Sequence, residues 1–403
     1  MKVLHVIPSI SPLRGGPTQA VLEMVQTLRQ RGIEAEIATT NDHGNDTLSL
    51  PLRQRYDYPL PSGDPVPVYC FPRHESPVAA LREFTLSASL TRFLLEQGRG
   101  YDLIHSHAIF SYPSVAAMAI ARLLHIPYIV RPLGSLCAWS LTQRAGRKQH
   151  YLKLIKPLLN HSHGLHFTAE QERQEARSLG IRAPEWVIPL GLKVAPPQAE
   201  AREQLRASLG LPPQQPVLLF LSRIHPKKGL EPLIQALGTL RGQPCTLVIA
   251  GSGEAEYEAQ IQSLVAAQGL TAQVRSVGFV SGAQKQQLLQ GSDVFVLTSH
   301  SENFGIVVLE ALAAGTPVLV TPGVALADLV QRHDLGWVCP MQVPAIAAAL
   351  QAAIGSPALR RQKGDRARQV VQDHYSWQSV AEQLERHYHL ATSSPSNPIP
   401  SMA

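Results

Sequence analysis

Short apolar runs rich in Val, Ile and Leu alternate along most of the chain with longer segments of helical periodicity. This alternation predicts βαβ units and parallel sheets. Because the runs are continuous rather than alternating with polar residues, we expect the strands to be buried on both faces. The pattern occurs in two series, separated by the sequence WVIPLGLKVAPP, which predicts a strand followed by a Pro-rich hinge.

The two series define the predicted strands. In the first series they lie at residues 3–7, 36–39, 102–105, 128–131 and 165–168, and in the second at residues 217–222, 246–250, 274–277, 294–297, 317–320 and 336–339. The chain has 403 residues, enough for two domains that each bury a full core. We therefore predict an α/β protein with two doubly wound sheets.

The predicted domain boundaries follow from the same pattern. An N-terminal domain covers residues 1–192, a C-terminal domain covers residues 193–375, and a closing helix at 376–391 packs back towards the N-terminal domain. The polar, Pro-rich tail at 392–403 is expected to be disordered. Residues 42–77, rich in Pro, Asp and Tyr, are predicted to form a long loop.

The net charge of +6 is concentrated in one segment. Residues 103–169 contain seven Lys or Arg and no Asp or Glu, whereas the rest of the chain is nearly neutral. Within this segment, residues 131–160 contain a basic amphipathic pattern. The apolar side is formed by Tyr151, Leu152, Ile155, Leu158 and Leu159.

Two hypotheses account for this basic segment. In the first, it docks on an anionic membrane or meets a lipid-diphosphate acceptor, with Trp139 and Tyr151 at the interface. In the second, its apolar side packs in the core and its cations are solvated. Nucleic acid is not an expected partner, because the segment lacks a nucleic-acid-binding motif.

The four cysteines, at positions 70, 137, 245 and 339, are too widely spaced to suggest a zinc site or a disulfide framework. We expect reduced thiols, no structural metal and a cytoplasmic protein. Residues 1–10 are typical of a buried strand rather than a signal peptide. The longest apolar stretch, residues 114–130, is too short and too interrupted to span a membrane. A peripheral location on the inner face of the membrane is the alternative.

Candidate ligand-binding residues follow the strands, because open parallel sheets bind ligands beyond the carboxyl ends of their strands. Gly15 and Gly16 separate the first strand from a helix, so their amides can approach an anion. Arg223 and Lys228 follow the first strand of the second series, where two cations suit a pyrophosphate. The alternatives are a flexible turn and a solvated basic loop.

The segment HSENFGIVVLEALAAGTPV carries the strongest signal. It places Glu302 and Glu310 eight residues apart, with Phe304 and Gly305 at a helix start and Glu310 about two turns inside. Free amides at a helix N-terminus bind phosphate, and carboxylates accept hydrogen bonds from vicinal hydroxyls. The combination predicts a sugar-nucleotide site. The alternative is a capping Glu302 and a solvated Glu310, which the apolar start of the helix disfavours.

At these residues the chain resembles the retaining GT-B glycosyltransferases of family 4, over nearly its whole length. The matching elements are the E-x7-E segment from Glu302 to Glu310, the R-x4-K-G segment SRIHPKKG, the Gly15-Gly16 loop, the strand-plus-His segment DLIHSHAIF and the closing helix YSWQSVAEQL. The resemblance implies two Rossmann-like domains that face a central cleft.

The resemblance also implies a role for each residue. Glu310 binds the ribose of a nucleotide-diphosphate sugar, Arg223 and Lys228 bind its pyrophosphate, and Glu302 binds the donor sugar. The amides of Gly16, Asn303, Phe304 and Gly305 assist at phosphate and sugar, and His107 lies near the reactive centre. The implied catalytic residues are His107, Glu302, Arg223 and Lys228.

The implied reaction moves a sugar to a hydroxyl of a glycan, lipid-linked or small-molecule acceptor with retention of configuration. It proceeds by front-face substitution, in which the leaving phosphate oxygen takes the acceptor proton, and it needs no metal or other cofactor. Polysaccharide, glycolipid or cell-envelope glycan synthesis is the expected setting. One departure from the family is TPGVALADLV, where Asp328 is the nearest acid to an expected Glu.

Two other classes of function are kept open. One is a GT-B-fold enzyme of another reaction, namely a sugar-nucleotide epimerase or a phosphorylase, although no cofactor lysine site is recognisable for the latter. The other is a non-catalytic protein that binds lipid or polyanions through residues 131–160. The presence of Arg223, Lys228, Glu302 and Glu310 together argues against a loss of catalysis.

Overall fold

A computed structural model of the chain describes residues 1–60, 63–137, 140–141, 145–240, 242–302 and 304–393. The chain divides into two compact units. Unit 1 contains Met1–Gly191 together with the segment that begins at Trp377, and unit 2 contains Leu192–Ser376.

Unit 1 is an α/β unit. Its strands are β1 (Lys2–Ser9), β2 (Glu34–Thr40), β3 (Asp42–His43), β4 (Asp46–Thr47), β5 (Arg55–Leu60), β6 (Gly63–Phe71), β7 (Leu103–His107), β8 (Tyr128–Arg131), β9 (Gly164–Phe167) and β10 (Glu185–Val187). Its helices are α1 (Gly16–Gln30), α2 (Ala79–Glu83), α3 (Ala88–Gln97), α4 (Tyr112–Leu124), α5 (Ala145–Asn160), α6 (Glu170–Arg177) and the C-terminal helix (Trp377–Ser393).

The main sheet of unit 1 has eight strands in the order β10-β9-β8-β7-β1-β2-β6-β5. Every pair in it is parallel except β5 with β6. Both faces are covered. One face carries Val3, Ile37 and Leu103 against α1 and the C-terminal helix, and the other carries Leu4 and Ile104 against α3 and α4. Burial on both faces explains why the strand sequences are continuously apolar.

Unit 2 is a second α/β unit. Its strands are β11 (Val217–Leu221), β12 (Thr246–Ala250), β13 (Val274–Gly278), β14 (Val294–Leu297), β15 (Val318–Val320) and β16 (Gly336–Val338). Its helices are α7 (Ala201–Leu209), α8 (Leu230–Thr239), α9 (Ala255–Ala267), α10 (Gly282–Gly291), α11 (Ile306–Ala313), α12 (Ala327–Arg332), α13 (Val343–Gly355) and α14 (Pro357–His374).

The six strands of unit 2 are all parallel, in the order β13-β12-β11-β14-β15-β16. This is the doubly wound order in which the chain starts in the middle of the sheet and reverses direction between β11 and β14. In unit 1 the same reversal lies between β1 and β7. All the strands predicted in the two series are present, with ends within two residues of those expected.

The prediction of a long loop at residues 42–77 is wrong. This stretch contains β3 to β6, and β5 and β6 extend the main sheet of unit 1 at its edge. Pro65 and Pro67 do not prevent this, because proline is tolerated near a sheet edge where ladder hydrogen bonds are not all required. The residues of β5 are at most partly buried, so the strand lacks the apolar run that identifies a central strand.

The C-terminal helix packs on unit 1 through Trp377 and Tyr388, both buried. Trp377 Nε1 donates to Glu23 Oε2 at 2.6 Å. Gly191 lies so close to the indole that a Cβ there would be 2.3 Å from it. Thr392 and Ser393 are helical rather than part of a tail, and residues 394–403 lie outside the described part of the chain. Among the described residues, no helix has both the length and the apolar composition required to cross a bilayer.

Candidate active site

The candidate residues of unit 2 lie where its sheet reverses direction. Arg223 and Lys228 follow β11, and Glu302 follows the adjacent strand β14. The two loops thus leave neighbouring parallel strands at their carboxyl ends, the edge at which doubly wound sheets bind ligands. The topology accordingly brings together residues that are far apart in the sequence.

The loop after β11 is held tightly against the loop after β14. A short 3-10 turn, Pro226–Lys228, ends at Gly229, which has a left-handed φ of 66°. A Cβ at Gly229 would lie 1.8 Å from the carbonyl oxygen of Thr298, so only glycine fits here. Thr298 Oγ1 also donates to the Gly229 carbonyl at 2.6 Å. Arg223, on the same loop, is exposed.

Lys228 and Glu302 form an ion pair between these two loops. Lys228 is buried and the Glu302 side chain is 21% exposed, so the pair is partly shielded from water. The backbone of Glu302 is fixed on both sides, since its amide donates to the Gly323 carbonyl at 2.7 Å and its carbonyl accepts from Ala325 N at 3.1 Å. The backbone of Lys228 is fixed as well, because its amide donates to the His225 carbonyl at 2.8 Å. Both residues of the ion pair are therefore held in place by the surrounding backbone.

Helix α11 begins at Ile306, directly after Gly305, whose φ is 79°. Phe304 is buried and anchors this start, and Asn303 lies outside the described residues. Glu310 is in the fifth position of the helix, one turn inside rather than the two turns predicted, because Gly305 adopts the left-handed conformation and delays the helix. Glu310 Oε1 accepts from Lys285 Nζ at 2.7 Å.

Lys285 has no counterpart in the sequence prediction. It lies in α10, 25 residues before Glu310, and only the packing of the helices shows that they meet.

Asp328, the nearest acid in the segment that departs from the family pattern, pairs with Arg332 one turn along α12 at 2.6 Å. Both side chains are more than half exposed, so this is a surface pair.

In unit 1, the glycine loop follows β1. Gly15 has φ 72° and ψ −143°, a conformation almost confined to glycine. Nothing lies within 4 Å of a Cβ built on Gly15 or Gly16, so the loop is open to a ligand. Gly16 is the first residue of α1, and its amide therefore belongs to the helix N-terminus.

The loop is held by a carboxylate that was missed in the sequence. Asp42 accepts two hydrogen bonds from Arg14, at 2.8 and 3.0 Å, and forms a buried ion pair with Arg73. Ser11 Oγ and His43 Nδ1 are 2.8 Å apart and make a second tie. The sequence analysis assigned residues 42–77 to a loop. This stretch contains Asp42, His43 and Arg73, which explains why their role was not recognised.

His107 is the last residue of β7, and its ring is fully buried. His5 Nδ1 lies 3.1 Å from His107 Nε2. His105 Nδ1 lies 2.7 Å from the Tyr388 hydroxyl, and His166 Nδ1 lies 3.3 Å from His105 Nε2. Two hydrogen-bonded pairs, His5 with His107 and His105 with His166, are thus joined by ring contacts into one histidine cluster.

Burial is the main cause of a lowered pKa for every member of the histidine cluster, and the nearby Arg131 guanidinium adds to it. The pKa of His5 falls from 6.5 to about 3, and those of the others fall well below 6.5. The rings are consequently neutral at pH 7. His107 can exchange hydrogen bonds with a substrate but brings no positive charge.

Within the described part of the chain, His5, His105 and His107 are the one set of side chains with metal-ligand spacing, their nitrogen atoms lying within 4.8 Å of one another. The surroundings do not suit a dication. Arg131 is buried beside them, and a metal would have to break the hydrogen bond between His5 and His107. We assign no metal to these rings.

The basic segment faces inwards more than its sequence suggested. In α5, Leu152, Ile155 and Leu159 are buried in the core of unit 1, which agrees with the second hypothesis. Tyr151 was predicted to lie at a membrane interface. In the structure its hydroxyl donates to the Ile109 carbonyl and its ring packs on Phe110, so it is not available for that role. Trp139 lies outside the described residues.

Two of the segment's lysines also have internal partners. Lys148 Nζ donates to the Ser140 carbonyl at 2.6 Å, and Lys156 Nζ donates to the Leu179 carbonyl at 2.8 Å. Lys153 and Arg122 are exposed, whereas Arg131 is fully buried. Only part of the local charge therefore reaches the surface.

Comparison with known proteins identifies the family. Residues 15–191 match the family described as glycosyl transferase 4-like domain, and residues 201–370 match the family described as glycosyl transferases group 1. A phosphatidyl-myo-inositol mannosyltransferase of Mycobacterium leprae is 28% identical over 400 residues, covering 98% of both chains. An uncharacterized glycosyltransferase of Methanocaldococcus jannaschii is 33% identical over 194 residues, 48% of this chain and 49% of that one.

Solved structures share the fold. The structure of Anabaena HepE in complex with UDP and glucose has a TM-score of 0.73 and 19% identity, and the match covers 97% of this chain and 100% of that one. Together the two family matches span most of both units and lie on the elements that carry the candidate residues. The chain therefore belongs to the group 1, or family 4, glycosyl transferases and is a glycosyltransferase of the GT-B fold.

Proposed function

We propose that the protein transfers a sugar from a nucleotide-diphosphate sugar to an acceptor hydroxyl with retention of anomeric configuration. The observation that carries this proposal is the pairing of Lys228 with Glu302 at the switch point of the unit 2 sheet, beside the start of α11. A cation for phosphate, a carboxylate for sugar hydroxyls and free helix amides are thus placed at one edge.

In this proposal, different residues of unit 2 bind different parts of the donor. Arg223 and Lys228 neutralise the pyrophosphate and stabilise the charge that grows on it as the glycosidic bond breaks. The carboxylate of Glu310 accepts hydrogen bonds from the ribose hydroxyls, and that of Glu302 from the donor sugar. The amides of Phe304 and Gly305 support the phosphate, and the amide of Asn303, which precedes them in the sequence, is assigned the same role.

Two groups of unit 1 are also part of the proposal. The amide of Gly16, at the N-terminus of α1, binds the donor phosphate, and nothing lies within 4 Å of a Cβ built on this residue. His107 is neutral, so it hydrogen-bonds the donor sugar without adding charge. The acceptor hydroxyl attacks from the face that the leaving phosphate occupies, and the phosphate oxygen takes its proton.

The proposed setting is polysaccharide, glycolipid or cell-envelope glycan synthesis on the cytoplasmic side of the membrane. The full-length relative named for phosphatidyl-myo-inositol supports an acceptor of lipid or glycan type.

Membrane contact through residues 131–160 would depend on the exposed cations of this segment, Lys153 among them, since the apolar side of α5 is buried. Equal flotation with neutral and anionic vesicles would rule it out. An epimerase or a non-catalytic binding protein is not favoured.

The donor is tested by thermal unfolding with UDP, GDP and ADP and their sugars. A ligand that binds only the folded state raises the unfolding temperature by mass action, so one nucleotide series should give a larger rise than the others.

Arg223→Ala and Lys228→Ala should each lower donor hydrolysis about 100-fold or more. Arg332→Ala is the matched control, because Arg332 is exposed and lies in a surface pair.

Retention is tested without an acceptor. During slow donor hydrolysis, proton NMR identifies the anomer that is released first. The same anomer as in the donor supports retention, and the opposite anomer contradicts it. Wild-type rates in both Arg223→Ala and Lys228→Ala would overturn the proposed donor site.

A further inference from the structure

Arg131 is a fully buried cation that has no hydrogen-bond acceptor among the described residues. It is the last residue of β8, at the carboxyl edge of the unit 1 sheet, and within that part of the chain none of its three guanidinium nitrogens has a partner. A guanidinium offers five N–H donors and does not lose its proton in a protein at neutral pH. A buried charge left this way is strongly unfavourable unless another group supplies oxygen atoms.

Glu172 is a carboxylate whose charge acts on Arg131, but among the described residues it makes no hydrogen bond to the guanidinium. Its two oxygens accept hydrogen bonds from other groups. Oε2 accepts from the amide and the hydroxyl of Thr168, both at 2.9 Å, and Oε1 accepts from Gly134 N at 2.6 Å. Glu172 therefore fixes the turn that follows Arg131, and it leaves the guanidinium donors unsatisfied.

Other features of the same edge indicate a binding site. Ala108 and Leu133, which follow β7 and β8, both have left-handed φ values, 70° and 56°. Such strain in residues other than glycine is unusual and gathers at ligand sites. His107, the last residue of the neighbouring strand β7, has a buried Nδ1 that is likewise unpaired within the described part of the chain.

We propose that Arg131 binds an oxyanion of the acceptor, a phosphate group or a carboxylate, at the carboxyl edge of the unit 1 sheet. A phosphate fits the donors best, because its three terminal oxygens can satisfy several N–H groups of one guanidinium. The half-buried turn at residues 133–135 is the part of the chain that would move to admit it. The assignment of this anion to the acceptor rests on the proposed function.

The binding of inorganic phosphate tests this site. Arg223→Ala/Lys228→Ala serves as the background protein, so that the proposed donor site contributes nothing. Phosphate at ten times its Kd should raise the unfolding temperature of the background protein by about 3 to 5 °C. Chloride and acetate at equal ionic strength separate a phosphate site from a carboxylate site and from a salt effect. Addition of Arg131→Met should abolish the saturable part of this shift, whereas the general, non-saturating stabilisation by phosphate remains.

A second variant keeps the test decisive if Arg131→Met does not fold. Glu172→Gln removes the negative charge near the site and should tighten phosphate binding about three- to tenfold. If Arg131 is instead satisfied through Glu172, the same change gives no gain in phosphate affinity; its effect on stability does not separate the two cases, because Glu172 also accepts hydrogen bonds from Gly134 and Thr168. No gain in affinity, the absence of any saturable response to phosphate or acetate, or a saturable response that persists in Arg131→Met would overturn the proposal. Nucleotide binding by the wild-type protein is measured separately, so failure of the donor assignment is recognised independently.

Discussion

Lys228 and Glu302, 74 residues apart in the sequence, form an ion pair between the loops that follow two neighbouring strands of unit 2. The pair holds a cation and a carboxylate in place before any donor is present. In the proposed function, Lys228 binds phosphate oxygens and Glu302 binds sugar hydroxyls, so both groups are already near the positions that the proposal requires. Preorganised charge of this kind is the largest common source of catalytic rate.

The coupling between Lys228 and Glu302 is measurable. Lys228→Ala, Glu302→Ala and the double variant should show an interaction energy of about 1 kcal/mol or more in urea unfolding, because each single change leaves a partly buried charge without its partner. The pair is mostly shielded, with side-chain exposures of 10% and 21%. Additive effects of the two changes would mean that the ion pair does not contribute to stability.

Glu310→Gln should weaken nucleotide binding more than it slows turnover at saturating donor. Replacing the carboxylate by an amide loses a charge-assisted hydrogen bond to the ribose, which corresponds to about a 10- to 100-fold rise in Kd. Titration calorimetry with the preferred nucleoside diphosphate measures it. Glu256→Gln, an exposed acid in α9, is the control and should bind as the wild type does. An unchanged Kd in Glu310→Gln would exclude Glu310 from the ribose site.

Asp42→Asn should loosen the glycine loop and destabilise unit 1. Asp42 and Arg73 have side-chain exposures of 1% and 2%, and removal of one charge from such a pair costs about 3 to 5 kcal/mol. Arg14 loses its carboxylate partner as well, so the loop that carries Gly15 becomes less ordered and donor affinity falls.

Urea unfolding and nucleotide titration together check this prediction. The control is Asp57→Asn on β5, where the acid is 58% exposed and its change should alter stability by less than about 0.5 kcal/mol. A normal donor affinity in an Asp42→Asn protein of reduced stability would show that Asp42 supports the fold alone.

The strands and most of the unit 2 site were predictable because their signals are local. A strand buried on both faces requires a continuous apolar run, and β11 and β14 each have one. The observed order places β11 beside β14, which brings their loops together, whereas the ion pair between Lys228 and Glu302 was not predicted from the sequence. The start of α11 was less accurate, because the left-handed conformation of Gly305 depends on the packing around it.

The supporting residues of unit 1 were not predictable in the same way. Asp42 lies in the two-residue strand β3 and Arg73 lies two residues after β6, so the two are 31 residues apart and no local pattern indicates that they meet. The histidine cluster depends on register, since His5 faces His105 only because β1 and β7 pair at that position. Periodicity gives the existence of a strand but not the register of its partner.

The histidine cluster makes the stability of unit 1 depend on pH. The four rings stay neutral in the folded state because burial lowers their pKa, whereas an unfolded histidine takes up a proton near pH 6.5. The unfolded state therefore binds more protons below this pH, so stability is complete above pH 6.5 and is lost as the pH falls. For His5, whose pKa falls to about 3, the loss at pH 5 is about 2 kcal/mol, and the other three rings change stability in the same direction. Glu172, whose pKa is raised by burial, offsets part of it.

Urea unfolding between pH 8 and pH 5, followed by tryptophan fluorescence, measures this dependence, because Trp186 and Trp377 both belong to unit 1. His5→Gln removes one of the titrating rings and should reduce the loss by about a quarter, in proportion to the number of buried histidines. His150→Gln changes an exposed histidine of α5 and should leave the curve as it is. The cluster would not be the origin of the effect if both variants followed the wild-type curve, since the folded rings would then gain protons as readily as the unfolded ones.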